Sequence, residues 1–305
     1  MRSQTARVAL CSLLALALFG ACTPSATTQP TAEPTLALIP TITSPEQVSL
    51  PIYSYLPTVD LSVAIMLQDQ ALINQCAADK GSSERSGWSL VGSTGTTSPA
   101  TSTDLRTQAA AVLSDDVRYS GMWQFFNPAT VDQYGYGRPP AADTVLSTYV
   151  GVDGSALKWC NDAVNQITPS GNAMSPISVS SLPGGGPGWH SEDSRYVDAT
   201  RAWATCMKNQ GFNYDTPLAA ISDFPTPAAQ SSDKAKAVAV ADVNCKVSTN
   251  LVGIAVAVQS AYEQQYIDAN RDALAAWKTS ITNYLAGKIP LPSSVSSDHP
   301  TSAPS

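Results

Sequence analysis

Histidine is almost missing from this 305-residue chain: His190 sits in a Gly/Pro-rich stretch and His299 near the C-terminus. A Ser–His or Cys–His nucleophile system would have to be built on His190, which has no flanking motif. No G-x-S-x-G, H-E-x-x-H or Walker sequence occurs, so neither a catalytic group, a cofactor nor a histidine-held metal is expected. Charge is scarce as well, at 13% of residues, with a net value of −7 that becomes −9 once Arg2 and Arg7 are removed. Phosphate binding needs clustered Lys and Arg, so nucleic acid is not an expected partner, and neither is a polybasic contact with lipid headgroups. Long apolar runs are also lacking. A membrane-spanning helix needs roughly twenty such residues, and the best stretch after the N-terminus, 251–258, stops at Gln259 and Ser260.

What is present begins at the N-terminus. Arg2 and Arg7 lead into an apolar run over 8–19, which ends in Leu18-Phe19-Gly20-Ala21-Cys22. That is the layout of a secretory signal. It resembles a bacterial lipoprotein signal, in which Leu, a small residue and Gly or Ala precede an acylated cysteine. Gly20 and Ala21 match, while Phe19 stands where Leu is usual and Leu18 is displaced by one. The resemblance implies lipidation of Cys22, with palmitate-type chains, and a place on the outer face of the cytoplasmic membrane. Two acyl chains would supply the two signals that stable anchoring needs. The alternative is ordinary cleavage near Ala21, which leaves Cys22 an incidental thiol. Cys11 has almost no apolar run before it and is not a candidate.

Residues 23–52 are rich in Thr, Pro, Ser and Ala and are expected to form a disordered tether, open to O-linked sugars. Extended at roughly 3.1 Å per residue, such a segment would reach about 85 Å, against about 30 Å as a flexible coil. A similar tail covers 289–305, leaving a globular part at 53–288. Its fold class is expected to be mainly α: an irregular helical domain with long loops, held by two disulfides. Residues 60–80 place Leu61, Ile65, Leu72 and Cys76 on one stripe, with Gly81 as a C-cap. Asn127-Pro128 suggests the start of a short helix closed by Gly135 and Gly137. Further helices are expected over 143–150 and 155–167, and from Ser191 to Gly211 with Tyr196, Ala199, Trp203 and Cys206 on one face. Residues 232–247 and 251–285 complete the set. The Val-rich run at 236–241 could form a strand, but its alanines favour helix. Loops are expected at 82–103 and 168–190, with an irregular stretch at 212–230. The loop containing Gly184-Gly185-Gly186-Pro187-Gly188 suggests two pseudo-halves, 53–167 and 190–288. No strand–helix alternation suggests a Rossmann fold.

Four cysteines remain in the globular part: Cys76, Cys160, Cys206 and Cys245. Outside the cytoplasm they read as two disulfides, with three possible pairings. A four-thiolate zinc site competes, but no C-x-x-C pair is present. Two segments resemble each other: Asn74-Gln75-Cys76-Ala77-Ala78-Asp79-Lys80-Gly81 and Ala204-Thr205-Cys206-Met207-Lys208-Asn209-Gln210-Gly211. Each reads as a helix's last turn with an inward cysteine and a left-handed glycine, and each is followed by one further cysteine. A pseudo-repeat would pair Cys76 with Cys160 and Cys206 with Cys245; a chance match would leave all three pairings open. In the chain-entropy model, loops of roughly 85 and 40 residues correspond to about 4.6 and 3.9 kcal/mol.

At these residues the chain resembles secreted lipoproteins of unknown function from high-GC Gram-positive bacteria. The match rests on Trp203-Ala204-Thr205-Cys206-Met207 with Gly211-Phe212-Asn213-Tyr214, and on Ala239-Val240-Ala241-Asp242-Val243-Asn244-Cys245-Lys246. Tyr134-Gly135-Tyr136-Gly137 and Trp159-Cys160 also match. The resemblance implies a lipid anchor and a helical, disulfide-linked domain, and brings no active site.

Two candidates for function remain. Asp198 and Asp242, near Cys206 and Cys245, would be brought to neighbouring faces if those cysteines pair, as an acid/base pair of a hydrolase of cell-wall material. The plainer reading makes Asp242 a hydrogen-bonded structural acid and Asp198 a solvated one. Trp123, Tyr134, Tyr136, Trp189, Phe212 and Tyr214 lie in or beside loops, where rings could stack on a glycan or grip a peptide, or else plug the core. Trp159 and Trp203 are expected to pack against the disulfides. The function expected is a non-enzymatic binding or interaction module at the cell envelope, with a glycan, peptide or protein partner, and with the hydrolase as the alternative.

Overall fold

A computed structural model of the chain describes residues 32–91, 97–137, 145–149 and 155–294. The signal with Cys11 and Cys22, the loop Gly92-Ser93-Thr94-Gly95 and the end of the tail lie outside these residues. The mainly α expectation holds, with ten α-helices among the described residues.

Helix α1, Val59–Asp79, opens on Thr58, whose hydroxyl accepts from the Leu61 N–H at 3.3 Å. Strands β1, Gly87–Val91, and β2, Thr97–Pro99, follow, then helix α2, Ser102–Arg118. Next come β3 at Tyr119–Ser120, β4 at Gln124–Phe125 and the short helix α3 at Val131–Tyr134. Strand β5, Val145–Tyr149, pairs antiparallel with β1, in register from Gly87–Tyr149 to Val91–Val145, giving a three-stranded sheet in the order β2-β1-β5. Helix α4 is Ala156–Asn165 and α5 is Ser194–Asn209. After α6 at Pro217–Ser222 and α7 at Pro227–Gln230, three long helices close the chain: α8, Asp233–Ser248, α9, Leu251–Ala269, and α10, Arg271–Leu285.

The sheet corrects two expectations. Residues 145–149 form a strand where a helix over 143–150 was expected: Val145, Thr148 and Tyr149 are strand formers, and β1 offers an edge. The expected loop over 82–103 contains β1 and β2, and α2 went unread. The single helix expected over 251–285 is two, because Asn270 leaves helical geometry at φ −115° and turns its side-chain amide onto the Tyr266 carbonyl at 2.9 Å.

The repeated cysteine segments have the same geometry. Gly81 and Gly211 lie at φ +78° and +86°, the left-handed region that a Cβ resists. Gly81 N donates to Ala78 O and Ser82 N to Ala77 O; Gly211 N donates to Lys208 O and Phe212 N to Met207 O. Both ends are therefore Schellman caps. Cys76 is bonded to Cys160, joining α1 to α4, and Cys206 to Cys245, joining α5 to α8.

One core lies among α1, α2, α4 and β1, with Val63, Met66, Ile73, Trp88, Leu105 and Leu157. A larger one gathers Trp123, Phe125, Phe126 and Tyr136 with α5, α8 and α9. Ile65, Ile177, Ile281 and Tyr284 form a small cluster between elements of the two. The cores do not divide at the 168–190 loop, since residues 122–136 pack with the second half of the chain.

The described part of the expected tether, 32–52, needs the largest correction; 23–31 lie outside the described residues. From residue 34 the chain is a strap lying along α9, with Ile42, Val48, Leu50 and Ile52 in the larger core. Apolar residues between the prolines supply the burial that a disordered tether would lack. Asn250, at φ +52°, takes both sides of the strap: its Oδ1 accepts from Ile42 N at 3.3 Å and its Nδ2 donates to Pro40 O at 2.8 Å. Gly253 makes room, because a Cβ there would sit 2.0 Å from the Pro40 carbonyl oxygen. At the other end, Ile289 and Leu291 of the expected tail also pack against the domain.

Candidate functional site

The two expected carboxylates are not brought together. Asp198 is 70% exposed and paired with Arg201 at 2.5 Å on the outside of α5. Asp242 is sealed in the core. Its Oδ1 accepts from Trp203 Nε1 at 2.9 Å, and its Oδ2 from Lys246 Nζ at 2.8 Å and Tyr136 OH at 3.2 Å. Lys246 also donates to the Phe125 carbonyl at 2.6 Å. Burial pushes the Asp242 carboxyl up and the Lys246 ammonium down, and each partner works to hold the other charged. This centre is structural: it fastens α8 to β4, to α5 and to Tyr136, two residues after α3.

The second buried acid is Asp69 on α1, which accepts from the Tyr284 hydroxyl and from Met174 N at 2.7 Å. Burial dominates these bonds and raises its pKa to about 6. Among the described cysteines all four are in disulfides, and His190 stacks on the Tyr262 ring at 3.6 Å between centroids. Among the described residues no group of three or more His, Cys, Asp or Glu is placed to hold a metal.

The aromatic residues divide clearly. Trp123 and Tyr136 plug the core, as does Trp203, while Tyr134, Phe212 and Tyr214 are half-buried. Trp159 packs against the core that holds Cys76 and Cys160, as expected, but it is only half-buried, with the Lys80 ammonium 3.6 Å from its ring centroid. Trp189 is 42% exposed. It is held from behind by Gly121, where a Cβ would lie 2.7 Å from the indole Cδ1, and by the ring of Trp123, edge to face at 6.2 Å.

Trp189 lines a cavity of about 260 Å³ together with Tyr53, Ser178, Ser180, Gln259 and Glu263. One face of α9 makes its floor and clamps its rim. Gln259, Tyr262, Glu263 and Tyr266 follow each other at helical spacing, so they project the same way. Gln259 Nε2 donates to the Gly188 carbonyl at 3.0 Å and to Glu263 Oε1 at 3.2 Å. Tyr266 OH donates to the Pro183 carbonyl at 2.6 Å, and Tyr262 carries His190. The glycine loop, read from sequence as a divider, is thus the rim of a cavity. On the opposite side Glu263 Oε2 accepts from the strap, at Ile52 N, 3.0 Å away.

Two features mark this cavity chemically. Gln259 Oε1 is buried without a hydrogen-bond partner, an expensive state for an amide oxygen. Glu263 is 1% exposed, and burial lifts its carboxyl to about 7 against the bonds from Ile52 and Gln259. Such a polar pair beneath an exposed indole can receive a small ligand that brings hydrogen-bond donors. The sequence reading pointed to Trp189 but missed Gln259 and Glu263.

A second, more apolar groove of about 560 Å³ runs between α5 and α6, lined by Tyr196, Val197, Ala204, Pro217 and Leu218. No described helix is long and apolar enough to cross a membrane. Compared with models of known protein families, with curated proteins and with solved structures, the chain matches none.

Proposed function

We propose that this chain is an extracytoplasmic lipoprotein, anchored through Cys22 to the outer face of the cytoplasmic membrane, and that it acts as a non-enzymatic binding module of the cell envelope. The cavity on α9 is its ligand site. The observation that carries the reading is the unpartnered Gln259 Oε1 beside the buried Glu263, beneath the exposed Trp189. The four disulfide-bonded cysteines agree with an oxidising compartment, and the N-terminal residues with export. A cavity of about 260 Å³ suits one sugar ring, one amino acid or the end of a longer chain.

Two measurements test this. Mass spectrometry of the membrane-fraction protein is expected to find Cys22 as an acylated N-terminus; an unmodified thiol there overturns the anchor. Saturation-transfer NMR of the full chain in detergent, against small soluble components of envelope digests, is expected to find a ligand that is lost in Trp189→Ala. No ligand, or one indifferent to Trp189, overturns the binding site.

A further inference from the structure

We infer that the cavity on α9 recognises a primary ammonium group on a small ligand. The inference rests on the reading of this cavity as a ligand site. Its polar atoms are biased toward acceptors. The orientation of Gln259 is fixed, because its Nε2 donates to the Gly188 carbonyl, which can only accept; flipping the amide would set oxygen against oxygen. Its Oε1 is therefore the end left without a partner, in a side chain only 1% exposed. Glu263 accepts one hydrogen bond at each oxygen, from Ile52 N and Gln259 Nε2, while an ionised carboxylate has about four acceptor positions.

Counter-charge is missing where it would be expected. No Lys or Arg is among the residues lining the cavity. Of the other buried acids among the described residues, Asp242 and Asp193 are paired with Lys246 and Arg195, while Asp69, outside this cavity, has neutral donors only. Glu263 has only neutral donors, so a cation entering the cavity would meet the one charge that lacks a partner there. The Trp189 indole adds a π surface, worth about 0.5–2 kcal/mol to a cation. A neutral polyol would satisfy Gln259 but leave the carboxyl uncompensated. A quaternary ammonium would satisfy the charge but has no N–H for the Gln259 oxygen. An anion would be repelled. A primary ammonium meets all three demands with one group.

The test uses the full chain in detergent with four probes: 1,5-diaminopentane, 1,5-pentanediol, tetramethylammonium and glucose, titrated by isothermal calorimetry and by the indole N–H signals in NMR. The diamine is expected to bind at least tenfold tighter than the other three and to shift the Trp189 signal. Glu263→Gln keeps the size of the side chain but can accept from only one of Ile52 N and Gln259 Nε2, so a melting curve accompanies it. It is expected to fold and to lose tenfold or more in diamine affinity, while its affinity for 1,5-pentanediol changes less. Gln259→Leu is expected to reduce the preference over tetramethylammonium. A diol or glucose that binds as well as the diamine, or a diamine unaffected by Glu263→Gln, overturns the ammonium assignment but leaves the cavity as a ligand site. Failure of every probe to move the Trp189 signal overturns both.

Discussion

The two disulfide-bridged helix pairs, α1–α4 and α5–α8, start from the same device and bury their acids in opposite ways. Each has an inward cysteine in a last turn closed by a left-handed glycine. In the α5–α8 pair, Asp242 finds its counter-charge one turn along its own helix, at Lys246. In the α1–α4 pair, Asp69 is bonded to a distant tyrosine on α10 and a distant backbone amide at Met174. An i, i+4 ion pair needs only the helix that carries it. An acid satisfied by remote neutral donors needs the whole fold, and it leaves its proton affinity raised. The first arrangement makes a rigid local centre; the second is a clasp between segments far apart in sequence.

The largest expected effect tests the shared device. Replacing Cys76 and Cys160 by serine is expected to cost up to about 4.6 kcal/mol, and Cys206 with Cys245 up to about 3.9 kcal/mol, because the first pair closes the longer loop. Urea unfolding of the two double variants checks the order, and a reversed order would mean that native packing outweighs loop entropy. Next comes Lys246→Met, which strands a buried carboxylate and is expected to cost about 3–5 kcal/mol. Asp69→Asn should cost less, about 0.5–1.5 kcal/mol, since its Oδ1 can still accept from Met174 N, its Nδ2 can donate to the Tyr284 hydroxyl oxygen, and it buries no bare charge. Equal losses in these two variants would erase the contrast between the acids.

A smaller effect concerns pH. Folding raises the carboxyl of Asp69 from 3.8 to about 6 and that of Glu263 from 4.5 to about 7, burial being the main cause in both. The folded chain then holds more protons than the unfolded one between these values, so stability falls as pH rises through that window. The contribution is most favourable below the unfolded values and is lost by about pH 7. Melting curves from pH 4.5 to 7.5 are expected to fall less steeply for Glu263→Gln than for the parent chain. The smallest change is Gly121→Ala, which should shift the Trp189 signal and weaken ligand binding while costing about 1 kcal/mol or less of stability.

Local chemistry made part of this fold readable. Helices α1, α5 and α8 announce themselves by apolar spacing and capping residues, and the pairing of the cysteines follows from a repeated last turn. What escaped was decided at long range. Residues 145–149 are a strand only because β1 lies beside them. The strap looked like tether because its prolines exclude helix, yet Ile42, Leu50 and Ile52 bury themselves against α9. Trp189 could be picked out as a loop aromatic. Gln259 and Glu263 could not, because their burial depends on Ile52 and Gly188, far away in the chain.

The strap also has a mechanical meaning. A pull on the N-terminal end of the described chain would first load the Arg195 bond to the Pro34 carbonyl, then the Asn250 clasp at Pro40 and Ile42. Ile42, Val48 and Leu50 would have to leave the core before the load reached Ile52 and, through its N–H, Glu263. These contacts lie in series along the strap, so it works as a strain relief, and the cavity floor on α9 stays unloaded while they hold.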